Sequence, residues 1–372
     1  MADYFIGLMS GTSLDAIDAV LVDFHDATPR LMHAINHPLD AALRADLLAL
    51  CQPGANEIER LGKADVELGE TLAVAVDRLL DTANIPRADI TAIGSHGQTV
   101  RHQPNVPLGF TLQIGDPNRI AEITGITTVA DFRRRDLAAG GQGAPLVPAF
   151  HNAVFRNLER TRVILNIGGM ANITLLPKNP TDPVLGFDTG PGNVLMDAWV
   201  HQHKKQSYDA DGQWAASGQV DNELLALMLE EPFFLQPPPK STGRELFNND
   251  WLHRRLTESN HSLSVADVQA TLCELTAITI AEAITSLVPD NAPAEVLVCG
   301  GGARNSHLRT RLQANLTPHR VALTDELGIA AEWVEACAFA WLAKQTLARK
   351  PGNVPEVTGA RHPVVLGAIY PA

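Results

Sequence analysis

The chain has 372 residues, enough for two domains of ordinary size, each with its own core. With 45% hydrophobic and 19% charged residues it reads as globular rather than disordered, and no apolar run reaches the ~18 residues of a membrane span. A net charge of −13 argues against a general nucleic-acid surface, while leaving local arginines able to bind an anionic substrate.

Three strands are predicted first, at 4–9, 16–24 and roughly 30–36. The chain enters the first of them almost at once, which leaves no room for a secretory leader. Between the first two lies Ser10-Gly11-Thr12-Ser13-Leu14-Asp15. Its small residues can aim backbone N–H groups at a phosphate chain, with Asp15 beside a hydrated Mg²⁺, although an ordinary polar hairpin turn would have the same composition. A long helical pattern follows, with Ile58, Leu61, Leu68, Leu72, Val76, Leu79 and Leu80 near helical spacing. A strand at 90–97 ending in small residues, a helix at 117–125 and a strand at 126–130 complete this portion.

From 161 a similar order returns. Strands are predicted at 162–167, 171–176 and 183–187, the first ending at Gly168-Gly169, then a helix from about 193. Residues 204–262 read as an insertion with a bend at Gln236-Pro237-Pro238-Pro239. A helix at about 264–287, a strand at 295–299, the Gly300-Gly301-Gly302 turn, a helix from near Asn305, a strand at 319–323 and a helix at about 328–348 finish the unit. Two successions of strand–strand–strand–helix–strand–helix–strand predict a duplicated α/β architecture of two mixed sheets with a ligand cleft between the halves. The domains are read as 1–135, completed by 355–372, and 136–354. Cys51, Cys273, Cys299 and Cys337 are far apart, form no C-x-x-C pair and are expected as small core residues, which fits a reducing cytoplasm. The helix with Trp333 and Trp341 is expected in the core, a homodimer face being the alternative.

No G-x-x-x-x-G-K-[ST] and no strand-linked G-x-G-x-x-G is present, so neither a P-loop nor a Rossmann dinucleotide site is expected. Three glycine turns instead follow strands directly, and such turns let backbone approach a polyphosphate. Asp188, in Gly186-Phe187-Asp188-Thr189-Gly190-Pro191-Gly192-Asn193, is placed where a carboxylate could act as a general base, and taken by itself the position favours a plain N-cap or turn aspartate. Ser95-His96-Gly97-Gln98-Thr99-Val100-Arg101-His102 packs many donors into a strand end, and Arg133-Arg134-Arg135 offers bidentate capture of a carboxylate or a solvated charge run. Zinc binding by His96, His102 and His151 is disfavoured because no regular ligand spacing links them. Thr324-Asp325-Glu326 is explained by capping, with a substrate contact by Glu326 as an option.

Several of these motifs together closely resemble the anhydro-N-acetylmuramic acid kinase family. They are Ile6 to Asp15, Ser95 to Thr99, Asp131-Phe132-Arg133, Asn166 to Thr174, Gly186 to Asn193 and Gly300 to Asn305; Ala16 stands where that family more often has glycine. The resemblance implies a duplicated actin/hexokinase-like (ribonuclease H-like) fold. It implies ATP as phosphate donor with Mg²⁺, and 1,6-anhydro-N-acetylmuramic acid from peptidoglycan turnover as substrate, giving N-acetylmuramic acid 6-phosphate and ADP. By that resemblance the ATP phosphates would meet Gly11, Thr12, Ser13, Leu14, Asp15, Ala16, Ile17 and Asp18. Gly168 and Gly169 would form a second phosphate turn, Gly300 and Gly301 would lie near the adenosine, and Asp15 would bind the metal. Asp188 would be the base, and Arg133 with His96, Gln98, Arg101 and Glu326 would orient the sugar. The rival readings are a kinase of an ordinary hexose hydroxyl and an actin- or Hsp70-like assembly protein.

Overall fold

Strand β1 (Tyr4–Ser10) explains how the first half is built. Phe5, Ile6 and Leu8 are buried, because β1 pairs antiparallel with β2 (Ala16–Asp23) on one side and parallel with β4 (Ile90–Ser95) on the other. Gly7 and Gly94 stand opposite each other in that parallel pair. A Cβ would lie 1.9 Å from the Ala336 carbonyl oxygen at Gly7 and 2.0 Å from that of Phe339 at Gly94. The helix Val334–Leu347 therefore lies directly on the sheet backbone, an approach only glycine permits.

The computed structural model describes residues 3–11, 14, 16–26, 28–259, 262–288 and 291–372. The chain divides into two units, Met1–Val154 with Trp333–Ala372, and Phe155–Glu332. This corrects the expected boundaries at 135 and 354, for two reasons. The helix Val147–Phe155 starts within the first unit, and Val334–Leu347 covers β1 and β4 there instead of closing the second. Trp341 meets Phe150 edge-on at 6.1 Å inside that unit.

In the first unit β3 (Arg30–Pro38), β7 (Thr128–Ala130) and β13 (Ala368–Tyr370) complete a six-stranded sheet of order β13-β7-β4-β1-β2-β3. The long helix Glu57–Ala83 packs its Leu68, Leu72, Val76 and Leu79 face inward. Between β4 and β7, the strands β5 (Gln98–Gln103) and β6 (Phe110–Ile114) form a separate antiparallel pair that the sequence reading did not foresee.

The second unit holds β8 (Arg162–Ile167), β9 (Met170–Leu176), β10 (Leu185–Pro191), β11 (Glu295–Cys299) and β12 (Arg320–Leu323), in the order β10-β9-β8-β11-β12. Both sheets thus carry three antiparallel strands followed by two parallel ones, a duplicated mixed-sheet topology to which the first sheet adds β13, antiparallel to β7. The helix Val265–Thr285 is apolar nearly all round because the core surrounds it, from Val268 to Ile284. The expected insertion is no appendage: Trp214, Phe233, Phe247 and Trp251 from it join the same core. Two element bounds change. The strand expected at 183–187 runs on to Pro191, and the last helix begins at Val334, after Gly328 in the left-handed region and two short 3-10 turns.

Cys273, Cys299 and Cys337 are buried as expected, while Cys51 is half-buried.

Candidate active site

Asp188 lies within β10, between the buried Phe187 and Thr189, and not at a helix entry. The N-cap of the following helix Val194–Lys204 is Asn193, so the capping role once open to Asp188 falls away. A register shift between Asp188 and Gly190 marks a bulge in the β9–β10 pairing, a device that re-aims side chains near a strand end. The other partner of this stretch is the segment after the proline bend. Asp188 donates its N–H to the Lys240 carbonyl at 3.1 Å, and its Oδ2 accepts from the Thr242 N–H at 2.9 Å. Lys240 is itself anchored, its Nζ donating to the carbonyls of Phe233 and Phe234 at 3.1 and 3.0 Å. Burial pushes the Asp188 carboxyl up to about 6, the Thr242 N–H opposes that rise and the nearby charge of Glu245 adds to it. A carboxylate tuned to that range can take a proton near neutrality.

The glycine turns of this unit differ from one another. The amides leading into the helix Val194–Lys204 are spent internally: Gly192 and Val194 donate to the Gly169 carbonyl at 2.9 and 3.1 Å, and Asn193 to that of Gly168 at 2.8 Å. That helix end therefore braces the Gly168-Gly169 turn against β10. At Gly169 and Gly301 a Cβ would meet nothing within 4 Å, so backbone there faces open space. Gly300 donates to the Ala331 carbonyl at 2.8 Å. Glu326 is ion-paired with Arg320 at 2.6 Å and about half exposed, so the structure gives it a surface partner.

In the first unit, the structure brings His96 and Arg133 together. His96 is 6% exposed, its ring tilted against Phe339 at 4.7 Å between centroids. Its Nε2 accepts from Arg133 Nε at 3.1 Å and Nη2 at 2.9 Å, and its Nδ1 donates to the Gly97 carbonyl at 2.8 Å. The tautomer follows from that network. Burial and then the Arg133 charge hold His96 well below the usual histidine range, so the ring is neutral. Arg133 also donates from Nη1 to the Gly143 carbonyl at 2.8 Å. Its own value is pushed down to about 10 by burial, against the favourable charges of Glu335 and Asp136, so it keeps its positive charge at neutral pH.

Other candidates stand apart from that pair. Arg101 forms an ion pair with Glu57, at the start of the helix Glu57–Ala83. Gln98 is buried, its Nε2 donating to the Thr99 carbonyl at 3.1 Å while its Oε1 has no partner among the described residues. Ser10 and Ser95, at the ends of β1 and β4, likewise bury hydroxyls without partners among the described residues.

In the first turn, Leu14 donates to the Gly11 carbonyl at 3.2 Å and accepts from Arg44 Nε at 2.9 Å through its own carbonyl. Ala16, Ile17 and Asp18 already belong to β2; the Ile17 side chain fills the core, and Asp18 Oδ1 accepts from Asn36 Nδ2 at 2.5 Å. Thr12, Ser13 and Asp15 lie outside the described residues.

Sequence reasoning passed over Thr242 and Glu245, which act on Asp188, and Gly143 and Glu335, which act on Arg133. For the first pair a signal existed: Lys240-Ser241-Thr242-Gly243-Arg244-Glu245 sets small and charged residues directly after a proline run.

Comparison with known proteins finds one family along nearly the whole chain. A family model described as anhydro-N-acetylmuramic acid kinase matches residues 3–372. The protein of that name from Shewanella amazonensis is 54% identical over 368 residues, covering 99% of this chain and 98% of its own length. Its counterpart from Shewanella pealeana is 53% identical over 370 residues, covering 100% and 99%. That from Coxiella burnetii is 52% identical over 366 residues, covering 98% and 97%.

Proposed function

The chain belongs to the anhydro-N-acetylmuramic acid kinase family, and we propose that Asp188 is the base that starts its reaction. The activity converts 1,6-anhydro-N-acetylmuramic acid, water and ATP to N-acetylmuramic acid 6-phosphate and ADP, in peptidoglycan recycling. One observation supports the assignment above others: a largely buried carboxylate, pushed up to about 6, that accepts one hydrogen bond, from Thr242 N–H, among the described residues.

Asp188 takes a proton from a water molecule as that water attacks the anomeric carbon, forming the new C1–O bond. The C1–O6 bond breaks, and the electron pair leaves on O6. O6 then attacks the γ-phosphorus in line, ADP departs, and Asp188 returns its proton to solvent. Arg133 binds the lactyl carboxylate of the sugar with the N–H groups that His96 and Gly143 orient but do not consume. Within the first unit, the backbone at Gly11 has open space where a Cβ would stand, and the buried hydroxyls of Ser10 and Ser95 have no partner among the described residues, which suits a phosphate group. Within the second unit, Gly169 and Gly301 leave the same open space. By the family resemblance alone Asp15 would hold Mg²⁺, which would neutralise charge at the transferring phosphoryl group. We place the reaction in the cytoplasm, where ATP is available.

The test is ADP release driven by 1,6-anhydro-N-acetylmuramic acid, set against glucose and N-acetylglucosamine, in water enriched in ¹⁸O. The proposal expects turnover with the anhydro sugar alone and ¹⁸O at its anomeric carbon. Equal turnover with the plain sugars, or a product without ¹⁸O there, contradicts it.

A further inference from the structure

Asp136 takes no part in the chemistry above, yet on the short helix Arg134–Ala138 its side chain is wholly buried, at 0% exposure. A buried carboxylate is costly unless its oxygens find donors. Three donors meet it here. Gly143 N–H donates to Oδ2 at 2.8 Å, while Asn353 Nδ2 and Thr358 Oγ1 donate to Oδ1 at 2.7 and 2.8 Å. No cation pairs with it directly among the described residues.

Gly143 links this cluster to the sugar side. Its N–H is held by Asp136 and its carbonyl accepts from Arg133 Nη1. Its φ is +70°, and a Cβ would lie 2.2 Å from Leu137 Cδ1, so the backbone has one well-defined path between the two charged residues. The donors on Asp136 come from the C-terminal segment, which is tied to the same loop by backbone. Gln142 N–H donates to the Thr358 carbonyl at 2.8 Å, and Arg361 N–H to that of Ala139 at 3.0 Å. Asn353 is fixed in turn, its Oδ1 accepting from Val364 N–H at 2.8 Å.

We propose that Asp136 is a positioning residue that sets Arg133 through Gly143, making the 353–364 segment part of what orients the substrate carboxylate. The inference rests on Arg133 being the carboxylate-binding residue. Asp136→Asn keeps the volume but turns an NH₂ group toward a donor, so at least one of the three hydrogen bonds is lost. Thr358→Val removes one donor without touching the loop.

The experiment is steady-state kinetics, varying the anhydro sugar and ATP separately, on Asp136→Asn, Thr358→Val, Arg133→Ala and the double variant Arg133→Ala/Asp136→Asn. Asp136→Asn is expected to raise KM for the sugar by about tenfold, the worth of one hydrogen bond to a charged group, with KM for ATP within about twofold. Thr358→Val moves KM for the sugar in the same direction, and carries the test if Asp136→Asn does not fold. The double variant is expected to match Arg133→Ala alone, because Asp136 acts only through Arg133. Additive losses in the double variant, or equal rises in both KM values, overturn the proposal. If Arg133→Ala itself leaves KM for the sugar unchanged, the carboxylate-binding reading falls, and with it this one. If Arg133→Ala raises that KM and neither Asp136→Asn nor Thr358→Val does, the positioning role alone is overturned.

Discussion

His96 accepts two hydrogen bonds from one guanidinium, Nε and Nη2 of Arg133 both pointing at its Nε2. A histidine can do this only as a neutral ring with its proton on Nδ1, and the Gly97 carbonyl receives that proton's hydrogen bond. The pair is therefore not an acid–base device. It is a fixed cation whose plane is set from one edge by His96 and from another by Gly143.

Removing the acceptor should loosen the cation without removing its charge. His96→Leu is expected to raise KM for the anhydro sugar by about tenfold and to leave KM for ATP nearly unchanged. Arg133→Lys is expected to behave like Arg133→Ala, because an ammonium has no planar fork to hold both partners and the ligand. Substrate-varied kinetics check both. A lysine variant with the parent KM for the sugar would mean that charge alone suffices.

The pH profile should report Asp188. Since its carboxyl sits near 6 and the carboxylate is the active form, kcat is expected to rise with pH through about 6 and level above it. Glu245 raises that value by its charge, so Glu245→Gln is expected to move the acidic limb to lower pH by a few tenths, as befits an exposed neighbour. A limb that stays in place in Glu245→Gln would place the titrating group elsewhere; His96 does not compete for it, being held well below its usual range.

Much of the framework was legible because it is written locally. The alternating strands around Gly7 and the helical spacing of Leu68, Leu72, Val76 and Leu79 state their own periods, and the two sheets follow the element order read from them. Where the local signal is interrupted, the reading slipped. Gly190 and Pro191 resemble a loop, yet they close β10 across a bulge, so Asp188 was set past the strand instead of inside it. Pro104, Pro107 and Gly109 obscure the β5–β6 pair in the same way.

The contacts that tune the site are the least legible, because they join distant parts of the chain. Thr242 reaches Asp188 across 54 residues, and Asn353 reaches Asp136 across 217. Gly7 and Gly94 show what a sequence can hold unread: each is a glycine inside an apolar strand, which signals a close backbone approach, and the helix they admit moved the domain boundary.

The central claim is that Asp188 begins the reaction by deprotonating water. Its most direct test is Asp188→Asn assayed with saturating anhydro sugar and ATP, following ADP and ring opening together, alongside a titration of ATP binding. Both outputs are expected to fall by about a thousandfold or more, with ATP affinity within about threefold of the parent. Ring opening that persists at near-parent rate, with or without phosphoryl transfer, would contradict the assignment of the base.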